Sequence, residues 1–579
     1  MASLPTELLV NISQNLSTEN LTKLELINHH FKIFIRNYPW NHIILTLRNM
    51  ASIAFVIKNY QFKKYNFKNS RISDANIEYL GNCHTLNLSR CKITDSAVKH
   101  LGSCHTLNLS HCYQITDSGV RHLRNCHTLD LSMCQLITDA SVKYLGNCHT
   151  LRLSYCQHIT DQSVQHLGNC HTVDLAMCQL ITDASVKYLK NCHTLDLSHC
   201  HRITDSSVEN LGNCHTLNLN LCNQITDSGV RCLGKCHTLS LYACFRITDS
   251  SVKNLRNCHM LDLSRCKKIT DSSVRKLGNC HTLNLSGCDK ITNSSVRNLV
   301  NCHTLNLSKC ERITDSSVRD LGNCHTLHLS GCGRITDSSV QKLGTCHALY
   351  LSACERITDS SVKNLGNCHT LDLSWCKEIT VEGVKNLTKC HTLDLSWCKL
   401  ITDECISYIA NCHTLSLIAC SQITDSGIKH LGKCHTLDLS GCKLITDAGV
   451  KHLGNCHTLN LSWCQLITDE SLKYLENCHK LNLTRCKLVT GEGVKHLKNC
   501  HKLYGYQLVT PKSIEFLKNN NVDFFDEFIE EDADDFGTHE PIENNSPNES
   551  GTDESIDDDD GNDVDVDFFG TVEFNDDNI

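Results

Sequence analysis

CHTLRLSYCQHITDQSVQHLGN, residues 148–169, is one copy of a unit that recurs almost unchanged down the chain. Its Cys-His opening appears 20 times, from Cys83-His84 to Cys500-His501; the first interval is 21 residues and each later one 22. A unit this short cannot bury its own apolar face, so the copies are stable only when stacked. Thr150 to Ser154 alternates, which predicts a strand with Leu151 and Leu153 facing the core and Thr150, Arg152 and Ser154 facing away. Cys148 points inward one step before it. Thr160-Asp161 is helix-capping chemistry, and Val164 and Leu167, three apart, share one face of the short helix that follows. Gly168-Asn169 then turns the chain back.

A period of 20 to 29 residues around an L-x-L core is the mark of a leucine-rich repeat. The expected fold is an α/β solenoid, a horseshoe or arc with a parallel sheet on its concave face and strands about 4.8 Å apart. Cys156 falls where such repeats place a residue that satisfies the turn after the strand. Repeats are expected over residues 56–519: a degenerate first unit in which Phe62, Tyr65 and Phe67 stand for Cys, Leu and Leu, then the 20 Cys-His units, the last of them shortened and holding Leu503, Ile514 and Leu517.

The net charge of −8 conceals an asymmetry. Residues 521–579 carry 23 Asp or Glu and no Lys or Arg, leaving 55 basic and 40 acidic side chains in the rest. Residues 520–579 are therefore expected to be a disordered acidic tail, with Phe524-Phe525 and Phe568-Phe569 as candidate docking pairs within a solubilising segment. The basic residues are scattered through the repeat frame, as at Lys99, Lys143 and Arg275, and read as a solvated face rather than a phosphate-tracking surface. No apolar leader and no run of 18 apolar residues is present, so neither secretion nor a membrane is expected.

Of the 41 cysteines, 39 occupy two registers of the repeat, and Cys232 and Cys405 complete the count. The expectation is reduced, buried thiols in a cytoplasmic protein. Structural zinc needs four converging ligands, whereas the adjacent Cys and His of each pair point apart; no metal or other cofactor is expected. A catalytic centre needs one specific pocket, which a pair copied 20 times does not supply, so no enzyme is expected. Recognition is the remaining role, and the register just before the second Cys varies most. Three of the four tryptophans, Trp375, Trp397 and Trp463, sit there, and exposed aromatics favour interfaces. Tyr155, Met133 and Met177 form a second patch of candidate target-binding residues.

The first 50 residues have a different texture. Leu8, Ile12 and Leu16, then Leu21, Leu24, Ile27 and Phe31, recur at helical spacing after Pro5, with Phe34 and Trp40 completing a small helical module. The alternative is a plain cap over the first repeat. LPTELLVNI at 4–12, LSTENLTKL at 16–24, LINHHF at 26–31 and the late Trp40 resemble an F-box. With the cysteine-containing repeats behind it, the chain resembles the F-box/leucine-rich-repeat proteins. Its shorter, near-identical units and abundant Asn and Lys resemble a giant-virus or amoebal product, which would place it in the host cytoplasm or nucleus. The resemblance implies a substrate-recognition subunit of an SCF-type ubiquitin ligase. Leu4, Pro5, Leu8, Ile12, Leu16, Leu24, Ile27 and Phe31 would meet a Skp1-like adaptor of a cullin-RING ligase, and the repeats would hold a target protein. A scaffold without a ubiquitin link is the alternative.

Overall fold

In the computed structural model, residues 32–33, 36–46, 53–505, 508, 510–520 and 522–525 are described. The chain forms two compact units, Met1–His281 and Thr282–Ile579.

The first unit opens with strand β1 (Pro39–Thr46), helix α1 (Ile53–Asn59) and strand β2 (Gln61–Asn66). Nine three-residue strands follow, from Thr85–Asn87 to Met260–Asp262. Neighbours are parallel and in strict register, as in Leu129↔Leu151 and Leu151↔Val173. The second unit repeats this from Thr282–Asn284 to Lys502–Tyr504, for example Leu371↔Leu393.

The strand expected over Thr150–Ser154 spans only Thr150–Arg152. Pairing continues past it through single hydrogen bonds, Leu153 N–H to Asp174 O (2.8 Å) and Tyr155 N–H to Ala176 O (2.9 Å). Tyr155 itself is left-handed, with φ 59°. That residue reverses the chain and ends the pleat. Helix Asp161–Val164 is a single turn capped by Thr160, whose Oγ1 accepts the Gln162 N–H at 3.2 Å. It stops short of Leu167, which is carried by tight turns. Cys148, Leu151, Leu153, Cys156, Ile159, Val164 and Leu167 are all buried, so each unit gives seven apolar side chains to a core shared with its neighbours.

Two side chains join most repeats to their neighbours. The Cys156 thiol donates to Leu131 O (3.3 Å), and Cys398 to Leu373 O (3.2 Å). Asp227, first residue of its helix, accepts the Thr248 N–H (2.8 Å), the Thr248 hydroxyl (2.6 Å) and the Ser251 hydroxyl (2.6 Å) of the next unit. The Asp of the I-T-D motif thus holds the neighbouring cap as well as starting its own helix.

The ends differ from expectation. Trp40, read as closing a helical module, is fully buried in β1 and paired in parallel with Phe62 of β2. It packs with Tyr60, Tyr38, Ile43, Val56 and Phe62. Residues 39–46 therefore belong to the sheet, because their aromatic and β-branched side chains suit a pleated surface. At the other end, Phe524-Phe525 belongs to strand Asp523–Phe525, paired with Lys502–Tyr504 behind helix Pro511–Asn519. The pair closes the sheet rather than lying in the tail. The remainder of the tail and residues 1–31 lie outside the described residues.

Candidate protein-interaction surface

The polar face of the sheet is narrow, and much of it is shut. The last strand position is buried in many repeats, with Asn284 at 3% exposure, Asp372 at 5% and Asp438 at 0%. Each of these groups serves the fold. Asp372 Oδ1 accepts the Ser374 N–H (2.8 Å), and Asn460 Nδ2 donates to Asp438 Oδ2 (2.8 Å). Burial pushes the Asp438 carboxyl up to about 6. Burial, followed by the neighbouring Asp372 carboxyl, raises Asp394, and burial with Asp196 raises Asp174. These positions form a polar ladder, closed to water at Asp438 and half-buried at Asp174 and Asp394. The accessible surface lies along the two edges of the strands.

At the edge before the strands, the imidazoles of the Cys-His pairs stack. Ring centroids are 4.5 Å apart at His127–His149 in the first unit, with planes 10° apart, and 4.5 Å at His391–His413 in the second. Where a threonine follows, it fixes the ring, as in His193 Nδ1 to Thr194 Oγ1 at 3.3 Å. Desolvation, then the adjacent His171, lowers the His193 pKa and keeps the ring neutral near neutrality. Register explains the stack: identical residues in a parallel sheet without shift fall one strand spacing apart, which is aromatic stacking distance.

At the other edge is the variable register. All 19 of its residues are left-handed, 16 of them not glycine, with φ between 54° and 63°. Only Gly287, Gly331 and Gly441 relieve the strain. Trp375 and Trp397 stack with centroids 4.7 Å apart and planes 9° apart. The Arg485 guanidinium lies 4.5 Å from the centroid of Trp463, which is 46% exposed. In the first unit, Tyr155 is 40% exposed, and Met133 and Met177 are half-buried. The structure thus joins Trp375 to Trp397 and sets Trp463 three repeats further on, while Met133, Tyr155 and Met177 occupy consecutive repeats of the first unit. The adaptor candidates Leu4, Pro5, Leu8, Ile12, Leu16, Leu24, Ile27 and Phe31 lie outside the described residues.

All 41 cysteines are free thiols, and every one but Cys232 is buried. Burial pushes the Cys156 thiol up to about 12, well away from thiolate chemistry at neutral pH. Among the described residues, no group of three or more His, Cys, Asp or Glu is arranged to hold a metal ion, and no helix is long and apolar enough to cross a membrane.

The family described as Leucine Rich repeat matches residues 84–102, 193–212, 215–234, 369–387, 391–410, 435–454 and 457–475. No curated protein matches the sequence. Among solved structures, the chain is similar to an internalin (inlF) from Listeria monocytogenes, at 19% identity and a TM-score of 0.37, over 58% of this chain and 97% of that one. It is also similar to a TLR13–ssRNA13 complex, at 16% identity and a TM-score of 0.46, over 84% of this chain and 91% of that one.

Proposed function

We propose that this chain, a leucine-rich-repeat protein by its stacked parallel units and seven matched repeats, is a non-enzymatic scaffold that binds another protein along the left-handed edge of its strands. One observation carries the reading. Sixteen non-glycine residues are held at positive φ on one edge, where glycine relieves about 1 kcal/mol or more of strain. Three of the four tryptophans stand in that costly register. An edge that keeps large aromatics where small residues fit better is suited to contact. Trp375, Trp397 and Trp463 are its anchors in the second unit, and Tyr155, Met133 and Met177 form the patch in the first. The test is proximity labelling with the intact chain and with Trp375→Ala/Trp397→Ala/Trp463→Ala. A partner labelled by the first and lost from the folded triple variant supports the reading; an unchanged partner set removes it.

A finer reading is a substrate-recognition subunit of an SCF-type ubiquitin ligase, in the cytoplasm, and the F-box resemblance of residues 4–31 supports it. A Skp1-like adaptor would bind through Leu8 and Ile12, linking the repeats to a cullin-RING ligase. Binding of purified adaptor to the intact chain, lost on Leu8→Asp or Ile12→Asp without loss of circular dichroism, supports it. An unpaired carboxylate in such an apolar contact costs several kcal/mol, roughly. No binding by the intact chain leaves the scaffold alone.

A further inference from the structure

In the second unit, the exposed residues around the second cysteine of each repeat change character along the chain. Early repeats carry charged residues there, such as Asp289, Glu311 and Arg334. Later ones present Leu400, Leu444, Leu466 and Leu488, exposed by 41, 47, 46 and 51%. Backbone bridges Thr424↔Leu444, Thr446↔Leu466 and Thr468↔Leu488 hold the last three leucines in one row. Three residues before these leucines stand Trp397, Gly441, Trp463 and Arg485, and just before them the exposed Lys399, Lys443 and Lys487. The result is a leucine row edged by indoles and cations.

We propose that this row is the docking site of the chain's own segment Asp563–Phe574. The segment reads DVDVDFFGTVEF. Extended, it places Val564, Val566 and Phe568 on one face and Asp563, Asp565 and Asp567 on the other. The apolar face matches the leucines, and the carboxylates match the lysines and Arg485. Residues 526–579 carry 22 Asp or Glu and no Lys or Arg, so the attraction has one sign throughout. The tether also fits. Strand Asp523–Phe525 pairs with Lys502–Tyr504, in the repeat next to the one that holds Leu488. The 37 residues from 526 to 562 reach roughly 120 Å when extended, far more than a row of five repeats spanning about 20 Å requires. Tethering raises the local concentration of the segment to the millimolar order, so a contact weak in trans is occupied in cis. This docking stands whether or not the edge also takes a target. If it does, the target must displace the segment from Trp463 and its neighbours.

The experiment titrates a fluorescein-labelled peptide of residues 561–575 onto three full-length proteins, followed by anisotropy. They are the native chain, a tail variant (Val564→Ser/Val566→Ser/Phe568→Ser/Phe569→Ser), and the tail variant with Leu444→Ser/Leu466→Ser/Leu488→Ser. The peptide should bind the tail variant about tenfold more tightly than the native chain, whose own segment competes. The leucine substitutions should abolish that binding, and 0.5 M salt should weaken it. Equal binding to all three proteins, or tight binding indifferent to the leucines, overturns the proposal. A native chain that light scattering shows to be dimeric, and monomeric in the tail variant, overturns it in favour of docking on a second copy. Should the leucine variant fail to melt cooperatively, hydrogen exchange over residues 440–490 decides between the native chain and the tail variant. Faster exchange in the tail variant supports the proposal, and identical exchange overturns it.

Discussion

Two junctions between neighbouring repeats, one in each unit, differ by one carboxylate and by the residue facing it, Ser251 in one and Cys405 in the other. At the first, Asp227 holds the Thr248 amide, the Thr248 hydroxyl and the Ser251 hydroxyl of the next repeat. At the second, Val381 occupies the Asp position, and Thr402 of the next repeat turns to its own helix. Its N–H and hydroxyl lie 3.5 and 3.8 Å from Cys405 Sγ, and the helix lengthens to Asp403–Ile409. Between these extremes, Asn293 keeps the geometry without the charge. It accepts the Thr314 N–H at 2.9 Å, but its Nδ2 donates to the Thr314 hydroxyl at 2.7 Å, and Thr314 no longer caps its own helix. Stability in a repeat array is local, so each junction sets how readily its two repeats part. Clamped junctions should open last and the Val381 junction first.

The largest effect should come from breaking a clamp. Asp227→Ala removes a charged acceptor from three donors and should cost about 3 kcal/mol locally, a roughly hundredfold rise in amide exchange over residues 236–257. Exchange unchanged in that span would show the clamp to be dispensable. Acid should produce a smaller version of the same loss. Burial acts to raise the Asp227 carboxyl, but hydrogen bonds from Ser251 and Thr248 outweigh it and hold the group below its ordinary 3.8. A depressed carboxylate contributes stability above its unfolded pKa and loses it as pH falls through the folded value. Exchange at clamped junctions, corrected for its intrinsic pH dependence, should therefore rise between pH 5 and pH 3. The Val381–Thr402 junction should stay flat over the same range.

The sequence shows where these repeats begin and end because its signal is periodic. Leu151 and Leu153 in alternation and Thr160-Asp161 before Val164 place strand and helix without further help. The junctions are harder to read, since Asp161 looks complete as the start of its own helix and its second role reaches 21 residues away to Thr182. The left-handed register is hidden for a related reason. Tyr155 or Trp397 at φ near 60° is not what turn chemistry favours, and only the glycines at 287, 331 and 441 hint at it. Trp40 misleads because it follows an amphipathic helical pattern, while its burial comes from pairing with Phe62. The candidate tryptophans stand out in the sequence because three of the four share the variable register, and the imidazole stack follows from the period once the sheet is known to be parallel and unshifted.

Repairing the defective junction sharpens the comparison. Val381→Asp should let the new carboxylate take the Thr402 N–H and hydroxyl from the weak sulfur contacts. A gain of about 1 kcal/mol is expected, read as slower exchange over residues 390–411. Slower exchange confined to that span would identify the carboxylate as the cause, whereas no change would mean that the longer helix and Cys405 already compensate.

The smallest effect tests whether the opposite edge of the repeats also tells the two units apart. Tyr155→Gly relieves a strained φ but frees the unfolded chain, so the net gain should be about 0.5 kcal/mol. Trp397→Gly relieves the same strain, with φ 63°, yet also removes the ring stacked on Trp375 at 4.7 Å. That stack contributes about 0.5–1.5 kcal/mol, enough to cancel the relief or reverse it. Urea midpoints should therefore rise for Tyr155→Gly and stay level or fall for Trp397→Gly. Equal rises would mean that the indole pair adds nothing to the fold, and its strained register would then be explained by contact with a partner alone.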